Sequence, residues 1–325
     1  VTVLFPVELA TLEAELVTGL AAVEDRLRAE ISSDYELADI TARHLVEAGG
    51  KRFRPLLVLL AAQFGDPTSE GIIPAAVVVE LTHLATLYHD DVMDEATVRR
   101  GAQSANSRWG NTVAILSGDF LFARSSKLLA DLGPEAVRVQ AETFERLVIG
   151  QLRESVGPQN GEDPVVHHLE VLADKTGSLI AAAGRYGAMM SGVSAELTDK
   201  IADFGESIGI AFQLSDDLLD IESEVSGKTP GTDLREGIRT LPVLLALADD
   251  STSDRLRDLL SRPLSDDSDH AEALAALRTH PAMDAAREVL EQWAQRARER
   301  LSGFPEGDAK AALTTLVDSV AHRTI

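Results

Sequence analysis

Residues 201–222 read IADFGESIGIAFQLSDDLLDIE, and two patterns are superimposed on them. Ile201, Phe204, Ile208, Ala211 and Ser215 recur every three or four residues, the period of a helix face rather than a strand. Asp216, Asp217 and Asp220 stand at i, i+1 and i+4 of the same helix, within an arc of about 100°. Both patterns occur elsewhere. Val137, Ala141, Phe144, Val148 and Leu152 keep the helical spacing, and HDDVMD repeats the acidic trio as Asp90, Asp91 and Asp94. Boundary signals agree: Ser33 with Glu36 reads as a capping box, Gly49-Gly50 closes the segment that follows, and Pro74, Pro134 and Pro242 sit where helices can begin. Residues 112–132 are apolar on most faces, as in a helix enclosed by a bundle. No strand is needed. The expected fold is all-α, a multi-helix bundle with a central cavity, with residues 1–325 forming a single domain. Residues 157–164, 226–240 and the acidic stretch 249–269 read as irregular, the last with a short helix inside it.

The chain has 325 residues, 45% of them hydrophobic, enough for a sizeable core. Cysteine is absent, so disulfides, thiolate metal sites and cysteine nucleophiles are excluded, and any metal must sit on oxygen or imidazole. A formal charge of −23 argues against a nucleic-acid partner, which calls for a clustered basic surface. No apolar stretch approaches the roughly 18 uncharged residues of a spanning helix, so no transmembrane segment is expected. Val1 to Pro6 lack the basic start and cleavage site of a secretory signal, which leaves the cytoplasm as the expected location.

Three carboxylates on one helix edge can be plain solvated surface. Here apolar neighbours surround each trio: Leu84, Leu87 and Val92 about the first, Phe212, Leu214, Leu218 and Leu219 about the second. Such carboxylates need cations, and an oxygen-only set suits Mg²⁺, which bridges protein carboxylates to substrate phosphates. Two facing trios would clamp one diphosphate. Basic residues accompany the acids: Lys51, Arg52 and Arg54 in GGKRFRP, Arg99 and Arg100 in TVRRG, Lys175 in DKTGS, and Lys228. Arg gives planar bidentate contacts to phosphate and Lys a compact charge. Taken alone, GGKRFRP is also explained as a helix C-terminus whose dipole favours cations.

GGKRFRP at 49–55, HLATLYHDDVMDEATVRRG at 83–101, DKTGSL at 174–179 and GIAFQLSDDLLDIESEVSGKTPGTDLREGIRTLPV at 209–243 together resemble the trans-isoprenyl diphosphate synthases, the polyprenyl synthetase family. The resemblance covers most of the chain. It implies the all-α isoprenoid synthase fold around a deep central cavity, a homodimer, and condensation of isopentenyl diphosphate with an allylic diphosphate (geranyl, farnesyl or geranylgeranyl) on two or three Mg²⁺ ions. Carried over, it implies that Asp90, Asp91, Asp94, Asp216 and Asp220 bind the metal, Asp217 less directly. Arg99, Lys175 and Lys228 would hold the allylic diphosphate, and Lys51, Arg54, His83 and Arg100 that of isopentenyl diphosphate. Thr176 and Gln213 would flank the developing carbocation. Many relatives place Lys where this chain has Ile238, and Arg239 is a candidate substitute.

Such a reaction separates charge as an allylic carbon-oxygen bond breaks, so groups that stabilise the leaving diphosphate lower the barrier. Chain length should follow the depth below the first trio, where Ala85 and Thr86 lie five and four residues before Asp90. Both are small, and ATLYHDD resembles the long-chain type, with six or more isoprene units and quinone side chains as a destination. Phe120, Phe122, Phe144 or a partner-subunit residue would form a deeper floor. Three other readings stay open. A class I terpene cyclase needs no isopentenyl site, a non-catalytic subunit is expected to lose metal ligands, and a structural acidic helical protein leaves the ordered basic motifs unexplained.

Overall fold

A computed structural model describes residues 10–222 and 230–322. In chain order the helices are α1 (Ala10–Ile31), α2 (Glu36–Glu47), α3 (Phe53–Ala62), α4 (Ile72–Met93), α5 (Ala105–Trp109), α6 (Asn111–Leu132), α7 (Pro134–Val156) and α8 (Pro164–Leu172). A π-helical turn, Ala173–Gly177, leads into α9 (Ser178–Met190) and α10 (Ala195–Glu222). Then follow α11 (Thr232–Glu236), α12 (Leu241–Ala248), α13 (Asp254–Leu260), α14 (Asp267–Arg278), α15 (Pro281–Leu301) and α16 (Asp308–Ala321). The all-α class is the observed one. Among the described residues, strand is confined to Val98–Arg99 (β1) paired with Ala102–Gln103 (β2). Arg100 and Gly101 turn that hairpin with φ of 54° and 75°, the left-handed pair that fits strand twist.

Local signals explain most boundaries. Pro134 opens α7, Pro242 is the second residue of α12 and Pro74 the third of α4, all positions where a missing amide costs nothing. Asp163 caps α8 by accepting from the Val165 and Val166 amides at 2.8 and 3.2 Å. Ser33 and Glu36 form no capping box. Tyr35 occupies the N-cap, so the Ser33 hydroxyl lies too early and accepts from the Tyr35 amide at 3.2 Å instead. The acidic stretch does hold a short helix, α13, capped by Ser253.

The chain divides into two compact units. The first comprises the described residues up to Phe144 with Leu179–Gly205 and Gly303–Thr315; the second comprises Glu145–Ser178, Glu206–Ser302 and the chain from Leu316. In the first, α4 is the central element, with Val77, Val78, Val79, Leu81 and Leu84 fully enclosed. The Tyr88 hydroxyl ties α4 to α2 by donating to the Thr41 carbonyl. By length and composition alone α4 could cross a membrane, although Glu80, Asp90 and Asp91 break its apolar run into shorter uncharged pieces. Its apolar side chains are spent in the core, with 67% of the apolar window buried.

Another correction concerns α6 and α7. Val137, Phe144, Val148 and Leu152, together with Ile115 and Leu116 on α6, are exposed. Helical spacing reports one apolar face; it does not report what covers that face.

At the start of α3 the first unit buries Arg52, whose guanidinium binds Glu24 and, at 2.7 Å, Glu80. Burial works against this charge, but Glu80 and Glu24 outweigh it and raise the Arg52 pKa. Replacing Arg52 with Met would strand two carboxylates. We expect a loss of about 3–5 kcal/mol, read as a lowered thermal midpoint, and a midpoint unchanged from the parent would refute that role for the triad.

Candidate active site

The first acidic trio lies at the C-terminal end of α4, with Asp94 as the C-cap. Asp91 has no exposed surface and accepts at Oδ1 from Arg99 Nε at 2.6 Å. Burial pushes its carboxyl pKa up, and Arg99 only partly reverses this. Its second oxygen, Oδ2, is buried without a hydrogen-bond donor. Such an atom costs about 1–3 kcal/mol or more unless a cation or donor reaches it. Asp90 is half-buried and Asp94 exposed.

The hairpin separates the two neighbouring arginines. Arg99, in the ladder, reaches Asp91, whereas the left-handed backbone at Arg100 sends its side chain to the Leu45 and Gly49 carbonyls at the end of α2. A Cβ at Gly50 would lie 3.0 Å from both the Arg100 and Arg52 guanidinium groups and would press on both. Arg54, on α3, has a buried Nε with no hydrogen-bond partner. Burial pushes its pKa down to about 10; Glu80 opposes this and Arg100 adds to it. It still carries its charge at neutral pH. Burial lowers Arg100 in the same way. His83 faces Arg54, Arg100, Arg52 and Arg99, and burial together with those four charges holds its pKa well below 6.5. This neutral imidazole among partly desolvated cations forms a pocket of excess positive charge. Lys51 lies exposed beside it in sequence.

In the second unit the π-helical turn carries Lys175 and Thr176. Gly150 of α7 permits that turn to approach, since a Cβ there would sit 2.8 Å from the Lys175 amide nitrogen. Arg146 fastens the turn by donating to Asp174 Oδ1 at 2.9 Å, Glu206 Oε2 at 2.7 Å and the Ala173 carbonyl at 3.3 Å. π-turns of this kind collect at functional positions. Lys175 donates to Glu154. On α10, Gln213 Nε2 donates to Asp217 Oδ1 at 3.1 Å. Asp217 is buried, whereas Asp216 and Asp220 are half-buried. Asp220 accepts from the Thr232 and Asp233 amides of α11 at 3.2 and 3.1 Å.

The structure thus brings His83, Arg54, Arg99, Arg100 and the first trio together in one unit, and Lys175, Thr176, Gln213 and the second trio in the other. Lys228 lies outside the described residues. Among the described residues no three acidic or imidazole side chains already converge on one point. Each trio is partly engaged by its own neighbours: Asp91 by Arg99, Asp217 by Gln213 and Asp220 by α11. Arg239 donates to the Ser261 carbonyl at 3.3 Å, and Ile238 is exposed. Ala85 is fully buried and Thr86 partly exposed, its hydroxyl donating to the His83 carbonyl at 2.8 Å. Sequence reasoning gave Arg52 no role of its own, and it passed over Arg146, Glu154 and His168, which belong to no motif.

The depressed pKa of His83 has a definite sign. The unfolded chain takes up a proton near pH 6.5 and the folded chain does not. Its contribution to stability is therefore complete above about 6.5 and is lost as pH falls from there toward the native value. We expect the His83 ring resonances to show the neutral form throughout pH 8 to 6, and His83→Gln to lessen the acid-side loss of stability. A His83 resonance titrating near 6.5 would contradict the arrangement.

The model of the family described as polyprenyl synthetase matches residues 36–277. The chain is 49% identical over 318 residues to a nonaprenyl diphosphate synthase of Mycobacterium tuberculosis, covering 97% of this chain and 95% of that one. Among solved structures, a geranylgeranyl pyrophosphate synthase of Corynebacterium glutamicum, complexed with calcium and isoprenyl diphosphate, superposes with a TM-score of 0.84 at 46% identity, covering 95% and 96% of the two chains. A decaprenyl diphosphate synthase of Rhodobacter capsulatus gives 0.86 at 34% identity, covering 96% and 98%. A match this long, joined to helices that carry both acidic trios and the basic pocket, shows that the chain belongs to the polyprenyl synthetase family.

Proposed function

We propose that this prenyltransferase condenses isopentenyl diphosphate with an allylic diphosphate, geranyl, farnesyl or geranylgeranyl, to build a trans-polyprenyl diphosphate. The observation that carries the reading is the basic pocket: Arg54 and Arg100 are cations destabilised by burial and lie beside a neutral His83. Desolvated cations of this kind favour a polyanion. We assign Lys51, Arg54, His83 and Arg100 to the diphosphate of isopentenyl diphosphate, and Arg99, Lys175 and Lys228 to the allylic one. The family match runs through both compact units, which supports their acting as one polyprenyl synthase domain.

The residues present fit a divalent cation. The donor set is oxygen only, and Asp91 offers a buried oxygen with no donor. Asp90, Asp91, Asp94, Asp216 and Asp220 would hold the ions; Asp220 keeps lone pairs beyond its two amide bonds. Mg²⁺ is the expected metal, two or three ions, and supplies charge neutralisation of the leaving diphosphate when bound. Arg99 and Lys175 assist by placing fixed positive charge where negative charge accumulates, and Thr176 and Gln213 offer oxygen lone pairs to the developing cation. Attack by the isopentenyl double bond and loss of a proton complete the step, with released diphosphate as the base.

A product of six or more isoprene units, as a precursor of quinone side chains, is our reading of length. It rests on the small pair Ala85 and Thr86 and on the nonaprenyl-synthase relative, although the geranylgeranyl-synthase relative is nearly as similar. A homodimer is supported by the exposed apolar residues of α7 and of Ile115 and Leu116, which a second copy would cover. A cytoplasmic location rests on the sequence reading alone.

Purified protein with Mg²⁺, labelled isopentenyl diphosphate and each allylic diphosphate should yield long prenyl chains. Asp90→Asn or Asp216→Asn should lower kcat about 100-fold or more. Cyclic hydrocarbon without isopentenyl incorporation would instead indicate a cyclase, and no turnover by folded protein a non-catalytic subunit. Thr86, being partly open, accepts a larger side chain more readily than enclosed Ala85. Thr86→Phe should therefore shorten the product, and an unchanged chain-length distribution would remove residue 86 from the floor.

A further inference from the structure

Asp217 differs from its trio partners in being buried, and its surroundings differ too. His168, on α8, places Nε2 at 3.4 Å from Asp217 Oδ2, and neither atom has an aligned hydrogen-bond partner. Both side chains are nearly enclosed, 14% exposed for His168 and 5% for Asp217. The other Asp217 oxygen is taken by Gln213 Nε2. Asp217 thus stands between an imidazole on one helix and an amide on the preceding turn of its own helix.

We propose that Asp217, held in place by His168, is a positioning residue that fixes which end of the Gln213 amide meets the developing carbocation. The nitrogen and oxygen of a glutamine amide have nearly the same shape, so packing alone does not choose between them. A carboxylate offers only acceptors, so the amide must turn its NH₂ toward Asp217. The carbonyl oxygen Oε1 is then the end left for the reaction, and it is the end that stabilises positive charge. The opposite flip would present N–H donors to a cation. An ordinary hydrogen bond to His168 requires the 3.4 Å gap to shorten by about 0.5 Å. That bond anchors Oδ2 and leaves Oδ1 on Gln213. The inference rests on the prenyl-transfer reading and narrows it: Asp217 serves Gln213 rather than a metal ion.

The test uses equilibrium binding rather than turnover, with two probes measured by calorimetry in the presence of Mg²⁺. One is an unreactive thiolodiphosphate analogue of the allylic substrate. The other is an ammonium analogue of the allylic cation, added with inorganic diphosphate. His168→Leu and Asp217→Asn should each weaken the ammonium analogue about tenfold, the scale of one hydrogen bond, while the thiolodiphosphate stays within about twofold. His168→Gln, which retains an N–H donor, should recover most of the loss, a rescue that a purely structural role for the ring would not give. Should Asp217→Asn fail to fold, as judged by its thermal midpoint, the two His168 variants carry the test. Parallel weakening of both probes would overturn the proposal in favour of a diphosphate- or ion-holding Asp217, and unchanged affinity for both would overturn it outright. A parent protein that binds neither probe would instead overturn the prenyl-transfer reading itself.

Discussion

Arg54 and Arg100 carry partly buried charges that oppose one another, and Glu80, the carboxylate that steadies both, is already bound to Arg52. The first unit is built around keeping these groups in place despite that cost. Arg52 supplies the structural half of the arrangement, locking α1 and α4 to the start of α3. Arg54 and Arg100 are cations that burial destabilises, and in the proposed function the substrate diphosphate balances them. The same logic with the sign reversed applies to Asp91, whose pKa burial raises and whose Oδ2 lacks a donor. Excess positive and excess negative charge lie about two α-helical turns from each other along α4, at His83 and Asp90.

Backbone conformation does much of the sorting. The left-handed residues of the β1–β2 turn send Arg99 and Arg100 to different destinations, one to Asp91 and the other to the carbonyls ending α2. In the second unit the π-helical turn, admitted by Gly150 and fastened by Arg146, determines where Lys175 and Thr176 emerge. Both devices are local departures from regular helix, and both occur where the chemistry is expected.

Helix periodicity and proline placement made the all-α architecture legible before any coordinates, because burial of an apolar face imposes a period that side-chain order alone displays. The acidic trios were legible for a similar reason: i, i+1, i+4 is a statement about one helix edge. Three kinds of feature were not. The exposed stripe on α7 reads like a core stripe, since Val137 or Leu152 has the same side chain whether its neighbour is its own chain or another. The apolar span of α4 escaped notice because Glu80, His83 and His89 interrupt it. His168 and Arg146 belong to no spacing pattern at all; they act through contacts made only when α8 meets α10 and when α7 meets the π-turn. The binding of Arg52 to Glu24 and Glu80 likewise goes with the left-handed backbone at residue 52, which no composition reveals.

The central claim is that these charge clusters are completed by a metal-bound diphosphate, neither component sufficing alone. The most direct measurement is the thermal midpoint with Mg²⁺ alone, with inorganic diphosphate alone, and with both. Preferential binding to the folded state stabilises it by RT ln(1 + L/Kd), L being the free ligand concentration, and so raises the midpoint. The account predicts a joint shift well above the sum of the separate ones, and equal shifts with and without the metal, or none at all, would contradict it.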